Sequence, residues 1–113
     1  MKHLTMAEKS LLIGDLAADT IAEYAALLAQ QNSGDTVELH AVSGDGDEVV
    51  ATLLLNSGTS LMVETTHSSL PEPDNTAAVE YMRAKMQLIQ SPPPAAASNL
   101  EDIAAWNEEI DRL

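Results

Sequence analysis

The chain has 113 residues, a formal net charge of −13, 45% hydrophobic residues and no cysteine. The length fits a single domain, and the apolar content is that of a globular rather than a disordered chain. The lack of cysteine excludes disulfides and thiolate metal sites.

The charges are unevenly distributed along the chain. Between Ser10 and Met82 there is no Lys or Arg. Nucleic-acid phosphates and anionic lipids both need cations on the protein, so direct binding to nucleic acid or to a membrane is not expected. A basic protein would be attracted to such a surface, although an acidic surface also simply aids solubility.

The first residues do not resemble a targeting signal. The apolar stretch at Leu11–Ile13 is too short for a signal peptide, and acidic residues follow it directly. No run approaches the roughly 18 apolar residues of a membrane span. We therefore expect a soluble, cytoplasmic protein.

The first predicted element is a helix over residues 5–31. Thr5 and Glu8 have the spacing of a capping box. Apolar side chains then recur close to helical spacing, at Leu12, Leu16, Ile21, Tyr24, Leu27 and Leu28. Gly14 and Asp15 are a weak point, at which the helix bends or a second helix starts.

Residues 36–66 predict a three-stranded antiparallel meander. Gly46 and Gly58 each supply the left-handed residue that ends a three-residue hairpin loop. These loops place Ala41 opposite Val49 and Leu53 opposite Leu61. The resulting inner face carries no charge and consists of Val37, Leu39, Ala41, Val49, Ala51, Leu53, Leu55, Leu61 and Val63.

The second face of the meander is less polar than a face that meets only water. We therefore expect the chain's own tail, another copy or a ligand to cover part of it. The candidate ligand or partner residues on this face are Glu38, His40, Val50, Thr52, Leu54, Met62 and Glu64.

A second helix is predicted after Asp74 or Asn75, which are candidate caps. It carries one apolar stripe, formed by Val79, Met82, Met86 and Ile89. We interpret these methionines as core residues rather than as a groove for a partner.

Residues 91–98 contain three successive prolines and predict a stiff linker. A C-terminal helix over residues 99–113 would follow. Its docking stripe consists of Leu100, Ile103, Trp106, Ile110 and Leu113. A helix this short is marginal in water, so we expect it to dock on the apolar part of the second face, in its own chain or in a second copy.

No motif in the chain points to catalysis. The acidic loop at Gly44–Glu48 does not fit a calcium-binding EF-hand, and there is no nucleophile elbow or phosphate-binding loop. His40 and Glu64 would lie on the outer strands of the meander, with backbones about 10 Å apart. Without a third ligand of fixed geometry, we predict neither a metal site nor a cofactor.

The predicted fold class is α+β, with the order helix, three-stranded antiparallel meander, helix, Pro-rich linker and C-terminal helix. Residues 1–90 form the α-β-β-β-α domain. The leading functional hypothesis is a small non-enzymatic protein that acts through protein–protein contacts, most simply as a homodimer. The alternatives are an acidic, antitoxin-like inhibitor of a basic protein, and a small-ligand binder or enzyme that uses the second face around His40.

Overall fold

The computed structural model describes residues 1–91. Its elements are β1 (Lys2–Met6), β2 (Lys9–Ile13), α1 (Asp15–Gln30), β3 (Asp35–Val42), β4 (Glu48–Leu55), β5 (Leu61–Thr65) and α2 (Thr76–Gln90). The strands form one five-stranded sheet in the order β4-β3-β2-β1-β5, and all neighbours are antiparallel. Neither described helix is long and apolar enough to cross a membrane.

The prediction of a helix from residue 5 is wrong, because β1 and β2 form a hairpin there. Leu4 and Leu11 lie opposite each other and both are buried. Ile13, two residues after Leu11, is also buried, which is the alternation of a strand. Thr5 does not cap a helix; its hydroxyl hydrogen-bonds the Ser10 hydroxyl across the hairpin at 3.0 Å. The hairpin turns at Ala7, whose φ of 54° is unusual for alanine. Helix α1 therefore starts only at Asp15, with Gly14 as its N-cap.

The first hairpin of the predicted meander is confirmed. Strands β3 and β4 pair with Ala41 opposite Val49, Leu39 opposite Ala51 and Val37 opposite Leu53. Gly46 has a φ of 90°, as the predicted left-handed turn residue requires.

The second predicted hairpin is wrong, because β5 does not return to β4. The chain does turn after Leu55, where the Asn56 N–H donates to Thr59 Oγ1 at 2.9 Å. Strand β5 then pairs with β1 at the far edge of the sheet, with Val63 opposite Leu4. Val63 reaches the same core in this way, but its neighbour β1 was not predicted as a strand from the sequence.

Both helices pack on the inner face of the sheet. The core joins inner-face residues, such as Leu39 and Leu55, to Ile21 of α1 and Met82 of α2. The predicted stripe of the second helix is confirmed, since Val79, Met82 and Met86 are buried.

The α+β class therefore stands, but the described residues form a five-stranded sheet with two helices and not a three-stranded meander. The linker and the C-terminal docking helix predicted for residues 91–98 and 99–113 lie, from residue 92 onward, outside the described residues.

Candidate interaction surface

The sheet order divides the predicted second-face site into two parts. Glu38 and His40 lie on β3, and Val50, Thr52 and Leu54 lie on the adjacent β4. Met62 and Glu64 lie on β5, at the opposite edge of the sheet. Three side chains of the predicted site are apolar and more than half exposed: Val50 at 58%, Leu54 at 57% and Met62 at 52%. Only Val50 and Leu54 share a strand, so β5 does not contribute to one continuous site with them.

His40 and Glu64 are farther apart than the meander implied. Strands β2 and β1 lie between their strands, which makes three strand spacings, or about 14 Å along the sheet. Glu64 instead lies opposite His3. Among residues 1–91 no group of three or more His, Cys, Asp or Glu side chains is placed to hold a metal ion.

Part of the second face is covered by the chain itself. Val42 is only 5% exposed although it points away from the core face. Together with Leu12, His3 and Leu70 it lines a cavity of about 260 Å³. Leu70 belongs to the connection between β5 and α2, so this connection occupies the end of the face at which the C-terminal helix was expected to find Val42.

The hydrogen bonds of His40 determine which backbone groups of β4 face outward. The His40 N–H donates to Asn75 Oδ1 at 2.7 Å, and Asn75 Nδ2 donates to the His40 carbonyl at 2.7 Å. Since these two backbone groups point away from β4, His40 and Val50 form a pair without mutual hydrogen bonds. Such pairs alternate along an antiparallel ladder, so the N–H and C=O of Val50 and Thr52 point away from β3.

Strand β4 is an edge strand, so these outward groups meet no strand within residues 1–91. At one end the edge is closed, because Thr59 Oγ1 donates to the Leu54 carbonyl at 3.0 Å. The remaining edge, which we call the β4 edge, consists of Val50 and Thr52 with the exposed side chain of Leu54 beside them. An unprotected edge of this kind is a template for pairing with another strand.

An apolar groove of about 430 Å³ runs along the β4 edge. Its lining comes from strands alone: residues 49–54 on one side, and Leu4, Met6, Lys9 and Leu11 on the other. Within residues 1–91, Lys9 is the only charged residue in the lining. The groove therefore gives apolar side chains a place beside the exposed backbone groups.

A separate polar cluster connects the two helices to the sheet. The phenols of Tyr24 and Tyr81 donate to the same Asp35 oxygen at 2.5 and 2.6 Å. Partial burial raises the pKa of Asp35, but the hydrogen bonds from Tyr24, Tyr81 and the Thr36 N–H outweigh it and leave that pKa below its ordinary 3.8. Burial and the bond to Asp35 raise the pKa of Tyr24, and the same bond raises that of Tyr81. Neither phenol is therefore poised to act as a base at neutral pH, and we interpret the cluster as structural.

No protein-family model, curated protein or solved structure matches this chain.

Sequence reasoning found the side chains of this surface but not its geometry. Val50, Thr52 and Leu54 stood out because they make the second face less polar than a face that meets only water. It missed the groove residues Leu4, Met6 and Leu11, because Met6 and Leu11 were assigned to a helix and Leu4 to no element. It also placed β4 in the centre of the sheet, where its backbone would have had two strand partners.

Proposed function

We propose that this protein acts through contacts with other protein chains, and that its simplest partner is a second copy of itself. The observation that supports this most directly is the composition of the β4 edge. Residues 49–55 of an eight-residue edge strand contain no charge, no proline and no glycine. Charged residues and proline are the usual protection of such edges against pairing, and β4 lacks both between its ends.

The exposed apolar side chains support the same proposal. Val50 and Leu54 are each more than half exposed on one strand, in a chain with a formal charge of −13. A protein contact removes this apolar surface from water. Each Å² of apolar area buried in this way stabilises the contact by about 25 cal/mol. The groove beside the strand supplies further apolar surface of the same kind.

The test is the molar mass of the full-length chain, measured by light scattering over a range of concentrations. We expect a dimer. Val50→Lys should weaken the dimer by at least about tenfold in Kd, because it places a charge in the contact.

Met62→Lys is the matched control, since Met62 is similarly exposed but lies on the opposite edge of the sheet. It should leave the Kd unchanged. A full-length chain that is monomeric at every concentration would contradict the homodimer. Equal effects of the two substitutions would place the contact elsewhere.

A further inference from the structure

We infer that two copies of this chain pair β4 to β4, antiparallel and across a two-fold axis, so that two five-stranded sheets become one. This inference rests on the proposed function and names the surface that carries it.

The backbone groups fit such a pairing. The N–H and C=O of Val50 and Thr52 point outward from the sheet, as the bonds between His40 and Asn75 require. Antiparallel strands satisfy such groups in pairs, each residue both donating and accepting. A two-fold axis presents the same groups from the second copy, so the contact is closed and stops at a dimer.

The side chains fit as well. Val50 and Thr52 are β-branched, and cross-strand pairs of such residues stabilise sheets. Val49, Ala51 and Leu53 of the second copy would extend the inner face into the groove, beside Leu4, Met6 and Leu11. The strand added by the second copy would therefore lie against the apolar lining of that groove.

The charges favour this edge and this orientation. Two copies of a chain with a net charge of −13 repel each other, and residues 49–55 of β4 bring no charge of their own to the contact. Its one acidic residue, Glu48, stands at the start of the strand. With Ala51 at the axis, antiparallel pairing keeps the two Glu48 residues about 20 Å apart along the strands.

The other edge of the sheet is a weaker candidate. Strand β5 has five residues, against eight in β4, and it carries Glu64 within that length. A two-fold pairing of such short strands would bring the two Glu64 side chains close to each other.

Amide hydrogen exchange, measured residue by residue on the full-length protein, tests the inference. The amides of Val50 and Thr52 should exchange at least ~tenfold more slowly in concentrated than in dilute protein. The amides of Ala51 and Leu53 face β3 and should be protected equally at both concentrations.

Two substitutions at one position give an independent test by light scattering. Thr52→Pro removes an outward N–H and leaves the ladder to β3 intact, which an edge strand tolerates. This variant should be monomeric with an unchanged circular dichroism spectrum. Thr52→Ala retains the N–H and loses only the β-branched side chain, so it should still dimerise, with a slightly higher Kd. If Thr52→Pro does not fold, the exchange data decide alone.

The outcomes separate this inference from the proposed function. A dimer that survives Thr52→Pro, or one whose Val50 and Thr52 amides exchange no more slowly than those of the dissociated monomer, overturns the edge pairing and leaves the homodimer standing. Protection of both amides in protein dilute enough to be monomeric would mean that the chain's own residues 92–113 occupy the edge. A monomer at all concentrations overturns both proposals.

Discussion

The Asn75 side chain gives His40 the two hydrogen bonds that a neighbouring strand would otherwise supply. Strands β2 and β3 pair only at Leu12 and Val42, so the backbone of His40 has no partner on β2. The side-chain amide of Asn75 both accepts and donates there, and it is only 7% exposed. Asn75 stands at the N-cap of α2 but makes no side-chain capping bond. One buried amide thus connects the start of a helix to the edge of a strand.

Asn75→Ala should lower the free energy of unfolding by about 1–3 kcal/mol, because it leaves the N–H and C=O of His40 without a partner. Asn75→Asp keeps an acceptor for the N–H but places a carboxylate against the carbonyl, so it should not restore stability. Urea denaturation measures both variants. A loss below about 0.5 kcal/mol for Asn75→Ala would mean that water replaces the amide at no cost.

Asp35 should make stability depend on pH in acid. Its pKa is below the ordinary 3.8 in the folded chain, so its contribution is complete above that value and is lost as the pH falls through the folded pKa. The unfolding free energy of the original chain should therefore fall more steeply below about pH 4 than that of Asp35→Asn. Denaturation of both proteins at several pH values measures the difference. Parallel curves would show that the bonds from Tyr24 and Tyr81 do not favour the ionised carboxylate.

The hairpin of β1 and β2 is the largest departure from the sequence interpretation. The capping-box spacing of Thr5 and Glu8 coincides with a strand pair, and no Gly or Asn marks the turn at Ala7. Leu11 and Ile13 alternate as in a strand, and Leu4 precedes them on β1. The alanine-rich stretch after Asp15 nevertheless favoured a helix, and the prediction extended that helix back to residue 5. A tight turn at an alanine with positive φ leaves no signal in sequence that turn chemistry recognises.

Leu4→Ala tests whether this hairpin belongs to the core. Leu4 is 1% exposed, so the truncation should cost about 2–5 kcal/mol of unfolding free energy. His3→Ala, one residue earlier and on the other face, is the control and should cost much less. Equal losses in chemical denaturation would contradict the strand assignment of residues 2–6.

Local elements were predictable from sequence where the contacts are local. The register of β3 and β4 follows from a short loop with Gly46, and the buried stripe of α2 follows from helical spacing. The pairing partner of β5 could not be predicted in this way, because alternation identifies which face Val63 occupies but not which strand lies beside β5. The candidate surface shares this limit: the apolar second-face side chains were visible, but an edge exists only once the order of all five strands is known.

The net charge of −13 opposes any contact between copies. The same charge would favour a basic partner, so the sign of the salt dependence distinguishes the two kinds of partner. Salt screens charges beyond a Debye length, which falls from about 10 Å at 0.1 M to about 3 Å at 1 M. Apolar burial and backbone pairing along β4 are not weakened by this screening.

The homodimer should therefore tighten as salt rises from about 0.1 M to about 1 M, because the repulsion between two acidic chains is screened while the edge contact persists. Sedimentation equilibrium at several salt concentrations measures the Kd. Because the two Glu48 residues would lie about 20 Å apart in this pairing, beyond the Debye length of about 10 Å at 0.1 M, Glu48→Gln should change the Kd only slightly at either salt concentration. A dimer that loosens with salt would instead be held by ion pairs, with Lys9 in the groove lining as the first cation to replace.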